Sequence, residues 1–375
     1  MGKIYTALGL MSGTSGDGVD ASIISSDGID QYREILNKYF KYDHKTHENL
    51  HNLRGKLLKI EDLKKNEHEI NCLEKEITLF HAKIVNEILK TNNKDIDFIG
   101  FHGQTIYHNA SEKISKQIGD GNLLSQLTKK NVIYNFRQND IKNGGEGAPL
   151  TPVFHRLIAK QKNIQLPVCI LNIGGIANIT AINEYDNNSF FSRDLGPGNC
   201  LIDEWIRINT KNKFDNNGET AKSGNVNELI LNQALDNFDN IANQKILSFD
   251  TKDFSLGFVR GLSLEDGAAT LTDFTGRIIG NELFSFLSKE RDKLWKILVC
   301  GGGRKNTTLM EKIKKRTLKN LIIQSIDDYG VDGDFVESQA FGYLAIRSIM
   351  KLPISFPETT GCDKPSTGGT LVKNF

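Results

Sequence analysis

The run Ser12–Asp20 (SGTSGDGVD) concentrates groups that could hold a polyphosphate. Gly13, Gly16 and Gly18 let the backbone take positive φ and turn peptide N–H groups onto an anion with no Cβ in the way. The hydroxyls of Thr14 and Ser15 can bind phosphate oxygens, and Asp17 can hold Mg2+ through water. The same run also fits a β-hairpin turn, for which Asp-Gly is a common choice, but such a turn needs far less than this run carries. A further carboxylate, Asp194, stands before Leu195-Gly196-Pro197-Gly198-Asn199, where a strand gives way to a helix. That position suits a general base, and it suits equally a helix-entry turn in which Asp accepts local hydrogen bonds. His102 and Gln104, within Phe101–Thr105 (FHGQT), are candidate polar contacts to a substrate.

Gly301-Gly302-Gly303 follows an apolar strand and suits the edge of a flat base such as adenine, or a bare turn. Gly174 and Gly175, in Asn172–Asn178 (NIGGIAN), fit a bulge or close packing when taken alone. Their weight comes from matching the first Gly-rich turn. Gly144–His155 (GGEGAPLTPVFH) is a backbone-shaped loop in which Glu146 fits a surface carboxylate better than a catalytic one. His44, His47 and His51 could share one helical face and suggest a metal, but no carboxylate or thiol completes a ligand set. Solvated histidines are the expectation there.

The elements that must position these groups repeat. Ile4–Ser25 and Val168–Ile182 each form an apolar strand, a Gly-bearing turn and a second apolar strand, about 160 residues apart. Each is followed later by another strand ending in Gly, Ile96–Thr105 and Lys296–Asn306. Between the members of the first pair, Tyr32–Tyr42 fits a third strand, and Lys64–Lys90 a helix whose apolar residues Ile70, Leu73, Ile77, Phe80, Ile84 and Ile88 step by three and four. The second half repeats the order, with strands Val168–Ile173, Ile179–Asn183 and Ser189–Arg193, a helix from about Cys200, a helix near Asp266–Ser288, and the strand Lys296–Cys300. A last helix is expected over Phe335–Met350, then an irregular tail.

The pattern predicts an α/β chain of two lobes with duplicated β-β-β-α-β units and a central nucleotide cleft. The first lobe would take residues 1–132 plus about 335–375, and the second 133–334. Rossmann and P-loop proteins place the Gly turn between strand and helix; here it lies between two strands. That matches, by analogy, the actin/hexokinase/Hsp70 nucleotide-binding fold.

With 375 residues, 38% apolar and 25% charged, the chain has the composition of an ordinary soluble protein. Its 47 basic and 46 acidic residues leave no field that would draw it to nucleic acid or to a membrane. Five cysteines without a C-x-x-C pair point to reduced thiols in a cytosolic protein. Neither a signal peptide nor a membrane-length apolar run is expected.

Taken together, the motifs resemble one family, the anhydro-N-acetylmuramic acid kinases of bacterial cell-wall recycling. The match is carried by Gly13–Asp20 (GTSGDGVD), Phe101–Thr105 (FHGQT), Asn135–His155 (NFRQNDI, then GGEGAPLTPVFH), Asn172–Thr180 (NIGGIANIT), Asp194–Asn199 (DLGPGN), Ala269–Thr275 (ATLTDFT) and Cys300–Asn306 (CGGGRKN). These runs span nearly the whole chain in the family's order. The resemblance implies an ATP- and Mg2+-dependent kinase that also cleaves the 1,6-anhydro bond, giving N-acetylmuramate 6-phosphate and ADP. It implies a cytoplasmic homodimer acting on a small amino sugar and ATP.

Carried over by motif, Gly13, Thr14, Ser15, Gly16, Asp17, Gly18, Val19 and Asp20 would bind ATP phosphates, with Asp17 on the metal. Gly174, Gly175, Gly301, Gly302 and Gly303 would complete the nucleotide site. Asp194 would be the catalytic base, and Arg137 and Glu337 would contact the sugar, with His102 and Gln104 extending that contact. The chain departs from the family pattern at Gly16, Glu146 and Leu195, where a larger apolar residue, Gln and Thr are usual. Two rivals share the Gly turns. One is another sugar kinase of the same fold, which would lack the DLGPGN and GGEGAPL runs. The other is an Hsp70-like ATP-gated module, which would need a separate binding domain.

Overall fold

The computed structural model describes residues 2–92, 94–185, 190–242, 248–288, 294–317 and 321–375. Met1–Asn163 with Phe335–Phe375 form one compact unit, and Ile164–Asp334 form the other.

The first unit begins with an antiparallel meander, β1 (Tyr5–Ser12), β2 (Gly18–Ser26) and β3 (Tyr32–Lys41). Helices α1 (His44–Lys56), α2 (Ile60–Lys65) and α3 (Glu67–Thr91) lead to β4 (Phe98–Asn109), which lies parallel to β1. A hairpin strand β5 (Ile114–Ile118), helix α4 (Gly121–Thr128) and strand β6 (Asn131–Tyr134) follow, with β6 parallel to β4. Helices α5 (Gln138–Lys142) and α6 (Pro152–Gln161) end this stretch.

The second unit repeats the meander as β7 (Val168–Ile173), β8 (Ile176–Ile182) and β9 (Phe190–Pro197). Helices α7 (Cys200–Asn209), α8 (Glu219–Ser223), α9 (Glu228–Ala242) and α10 (Leu264–Ser288) precede β10 (Lys296–Cys300), which is parallel to β7. Helix α11 (Thr307–Arg316) and strand β11 (Ile322–Ser325) close it. The chain then returns to the first unit through α12 (Val336–Ile349) and β12 (Thr370–Val372), which pairs with β6.

The sheet orders are β12-β6-β4-β1-β2-β3 and β11-β10-β7-β8-β9, with β5 also on β4. Without β5 and β12 they are the same order with the same strand directions. The duplicated α/β arrangement of the actin/hexokinase-like fold is thus present in both halves.

Side-chain alternation explains how the first sheet is covered. Leu8 and Leu10 turn to one face and bury against Ile70, Leu73, Ile77, Val85 and Ile88 of α3. Gly9, between them, turns to the other face. A Cβ there would stand 1.9 Å from the Ser338 carbonyl oxygen, and one on Gly100 would stand 2.2 Å from that of Phe341. The backbone of α12 therefore lies directly on β1 and β4, and only glycine leaves room for it. In the second unit α10 plays the covering part, packing Leu271, Phe274 and Ile278 on Cys169, Leu171 and Ile173. Both tryptophans, Trp205 and Trp295, belong to this core, while all eight histidines lie in the first unit.

Four expectations need adjustment. The expected helix Lys64–Lys90 is two helices, because the chain turns at Asn66 between α2 and α3. The strand expected to end in Gly within Ile96–Thr105 runs on to Asn109, so FHGQT lies inside β4 at a bulge where Gly103 takes φ +75°. The first crossing between units falls at 163/164 instead of 132/133, since β6 belongs to the first sheet and Phe154 of α6 packs 5.5 Å from the Tyr343 ring of α12. The tail contains β12 rather than irregular chain alone. Of the expected strand Ser189–Arg193, Ser189 lies outside the described residues and the rest is in β9. No described helix is long and apolar enough to cross a membrane, and the five cysteines are free thiols.

Candidate functional site

In the first unit the loop between β1 and β2 is held from beneath. Ser12 Oγ donates to the Gly18 carbonyl at 2.9 Å and also pairs with Gln104 Oε1; Tyr42 OH approaches it at 3.2 Å. Gln104 Nε2 donates to the Gly13 carbonyl at 3.0 Å. Gln104 is fully buried, and its amide shapes the loop; the bulge at Gly103 is what aims it there. Val19 is likewise a core residue whose side chain is fully buried. Gly16 takes φ +61°, and its N–H reaches the Gly13 carbonyl at 3.1 Å. Asp17 is partly exposed, with its carbonyl accepting from Tyr42 N–H at 2.9 Å. Asp20 sits in β2 opposite Met11 and Tyr39.

The histidines of α1 are not all solvated. Asp43 caps the helix by accepting from Thr46 N–H, and His44 stays exposed beside Glu48. His47 and His51 instead turn to the loop, with His47 Nε2 3.4 Å from Asp17 Oδ1 and His51 Nε2 2.9 Å from the Ser15 carbonyl oxygen. No group of three or more His, Cys, Asp or Glu that could hold a metal occurs among the described residues.

A second cluster in the same unit joins His102, Arg137 and Glu337. Arg137 Nη2 donates to His102 Nε2 at 2.9 Å, and Nη1 donates to the Gly147 carbonyl at 2.7 Å. Burial, and then the Arg137 charge, hold His102 well below the usual imidazole range, so the ring is neutral. Its face packs on Phe341 at 4.5 Å. Asp140 explains the glycine loop that meets Arg137. It is buried and accepts from Gly147 N–H at 2.7 Å and from Thr360 Oγ1 at 2.7 Å. A Cβ on Gly145 would fall 2.2 Å from Asp140 Oδ2. Glu337 stands in the first turn of α12, half-buried; burial raises its carboxyl, and the Arg137 charge draws it back.

In the second unit Asp194 lies on β9 opposite Asn178, where the register shifts and Leu195 becomes the extra residue, its side chain in the core. Asp194 Oδ2 accepts from Phe249 N–H at 2.8 Å. Just beyond, two Gly turns clasp each other. Gly198 N–H donates to the Gly175 carbonyl at 2.9 Å, and Asn199 N–H to the Gly174 carbonyl at 2.7 Å. A Cβ on Gly198 would stand 2.2 Å from the Gly174 oxygen, so this approach needs glycine.

The Gly301–Gly303 turn packs on the same place. Gly301 takes φ +79°, and its missing Cβ leaves room for Asn172 Oδ1 and the Ile173 carbonyl. Gly302 is open, with Asn199 Nδ2 the nearest atom at 3.8 Å from a built Cβ. Arg304 fixes the turn by donating to the Gly301 carbonyl at 3.0 Å, to Asp327 at 2.7 Å and to Asp334 at 2.5 Å. Sequence reasoning missed Arg304, Asn199 and Asp140. For Arg304 the signal was its place directly after three glycines; its acidic partners lie too far along the chain to be read.

A sequence model of the family described as anhydro-N-acetylmuramic acid kinase matches residues 5–374. The anhydro-N-acetylmuramic acid kinase of Pelagibacter ubique is 61% identical over 375 residues, covering 100% of both chains. That of Agrobacterium fabrum is 38% identical over 383 aligned residues, again covering 100% of both. Among solved structures, the Acidaminococcus fermentans (R)-2-hydroxyglutaryl-CoA dehydratase component A is 11% identical with a TM-score of 0.45, covering 92% of this chain and 100% of that one.

Proposed function

The chain belongs to the anhydro-N-acetylmuramic acid kinase family, and from that premise we propose that it converts 1,6-anhydro-N-acetylmuramic acid, ATP and water to N-acetylmuramate 6-phosphate and ADP. The setting is cytoplasmic recycling of peptidoglycan, and the working form is a homodimer. The observation that most supports a phosphate-transfer reading is the Ser12–Asp20 loop. Its glycines, hydroxyls and Asp17 are held in one shape by Ser12, Gln104 and Tyr42.

The substrate's O6 carries no proton, so a base has nothing to remove from it. Asp194 therefore takes a proton from water as that water bonds to the anomeric carbon. The C1–O6 bond breaks, and O6 keeps the electron pair and attacks the γ-phosphorus. The bond from phosphorus to the bridging oxygen then breaks, releasing ADP. Arg137 and Glu337 hold the sugar; a fixed guanidinium suits the carboxylate that muramic acid carries. His102 orients Arg137, and Gln104 supports the loop. Gly174, Gly175 and Gly301–Gly303 are the second unit's candidates for nucleotide contact.

Mg2+ fits the residues present. It is usually held by one or two carboxylates together with phosphate and water, not by a protein cage. A single partly exposed carboxylate, Asp17, on a phosphate-shaped loop meets that need. When bound there, the ion supplies positive charge to the phosphates.

The direct test is to incubate the protein with Mg-ATP and 1,6-anhydro-N-acetylmuramic acid and weigh the product. A mass gain of one phosphate plus one water supports the reading. Phosphate gain without water, or no sugar product beside other phosphorylated sugars, rejects it.

A further inference from the structure

We propose that helix α1 braces the ATP-phosphate loop, with Arg54 and His51 as positioning residues that fix two loop peptides, one turning its N–H to the phosphates and the other closing the turn behind it. The proposal rests on assigning Ser12–Asp20 to ATP. One helix face meets the loop residue by residue in reverse order. Arg54 Nη1 donates to the Thr14 carbonyl, His51 Nε2 lies 2.9 Å from the Ser15 carbonyl oxygen, and His47 Nε2 lies 3.4 Å from Asp17 Oδ1. Between them Leu50 fills the space at Gly16, where a Cβ would stand 2.6 Å from Leu50 Cδ2. Positions 47, 50, 51 and 54 recur at helical spacing along one stripe, so a single straight helix makes all four contacts.

A trans peptide carries its C=O and the next residue's N–H on opposite edges. A carbonyl accepts only, so His51 donates from Nε2. Turning the Thr14 carbonyl to Arg54 therefore turns Ser15 N–H away from α1, toward the open side of the loop. Turning the Ser15 carbonyl to His51 likewise turns Gly16 N–H inward, where it donates to the Gly13 carbonyl at 3.1 Å and closes the turn. A flip of the Ser15–Gly16 peptide changes Ser15 ψ and Gly16 φ, which glycine makes cheap, and it would break the turn that Gly16 N–H closes. The helix removes that choice.

The test compares wild type with His51→Ala, His51→Gln, Arg54→Ala and Arg54→Lys. Binding of Mg2+ with a non-hydrolysable ATP analogue is measured by calorimetry, and both KM values by steady-state kinetics. Each alanine variant should weaken nucleotide binding roughly tenfold, the size of one lost hydrogen bond, and leave the sugar KM unchanged. Gln and Lys, which restore a donor of similar reach, should recover most of it. Wild-type nucleotide affinity in folded alanine variants overturns the proposal, as does an equal rise in both KM values or a failure of Gln and Lys to rescue. Failure of the functional reading looks different, because a chain that binds nucleotide without phosphorylating the sugar leaves the affinity comparison intact. A wild type that binds no nucleotide overturns both.

Discussion

Arg137 donates to Nε2 of His102 at 2.9 Å, which fixes the imidazole proton on Nδ1, 2.9 Å from the Gly103 carbonyl oxygen. The ring is then a neutral acceptor that orients a cation. His102→Ala should raise the sugar KM about tenfold, the scale of a lost hydrogen bond to a charged group, with nucleotide affinity unchanged. Because His102 acts through Arg137, the double variant with Arg137→Ala should be little worse than Arg137→Ala alone. Additive losses would separate the two residues.

Asp194→Asn keeps the shape and an oxygen for the Phe249 N–H, so fold and nucleotide affinity should survive. Product formation should fall by roughly 10²–10⁴, the contribution of a positioned general base. In ¹⁸O-labelled water the wild-type product should carry label at the anomeric hydroxyl and none in the phosphate. Label in the phosphate would mean that water attacks phosphorus, and the role given to Asp194 would fall.

Asp17→Asn removes the charge on the loop but not its backbone. Turnover should drop strongly and the Mg2+ concentration needed for half-maximal rate should rise, while sugar affinity measured by calorimetry stays put. An unchanged Mg2+ dependence would return Asp17 to a purely structural turn.

Three buried histidines, His81, His102 and His155, lie in the first unit. Burial lowers His81 to about 4 and His155 to about 3, and His102 is lowered as well. The unfolded chain takes up these protons below about pH 6.5 while the folded chain resists them. Their stabilisation is therefore complete above that pH and is lost as pH falls toward the lowered values, by up to ~4 kcal/mol per pH unit for three groups. Urea midpoints should fall steeply from pH 6.5 to 4.5. A flat profile there would contradict the burial of these rings.

Much of the fold is legible because its signals are local. Each meander shows as apolar strands broken by Gly turns, and the buried face of α3 shows as residues three and four apart. What sequence conceals is set by contacts between distant segments. Gln104 looks like a polar tip at a strand end until the bulge at Gly103 aims it beneath the loop. His47 and His51 look solvated until α1 is laid against Ser15 and Asp17. The clasp of Gly198 on Gly175 and the tie of Arg304 to Asp334 join residues over twenty positions apart. The position of Asp194 is local and could be read, but its anchor at Phe249 could not.

The uneven placement of the tryptophans and histidines gives the chain two native probes that do not overlap. Indole fluorescence reports unfolding of Ile164–Asp334 only, and imidazole proton resonances report Met1–Asn163 only, in the same unlabelled sample. If both signals change at one denaturant concentration, the halves melt as a single cooperative body. If they separate, the order of the two transitions says which of the two similarly wound halves is the more robust one.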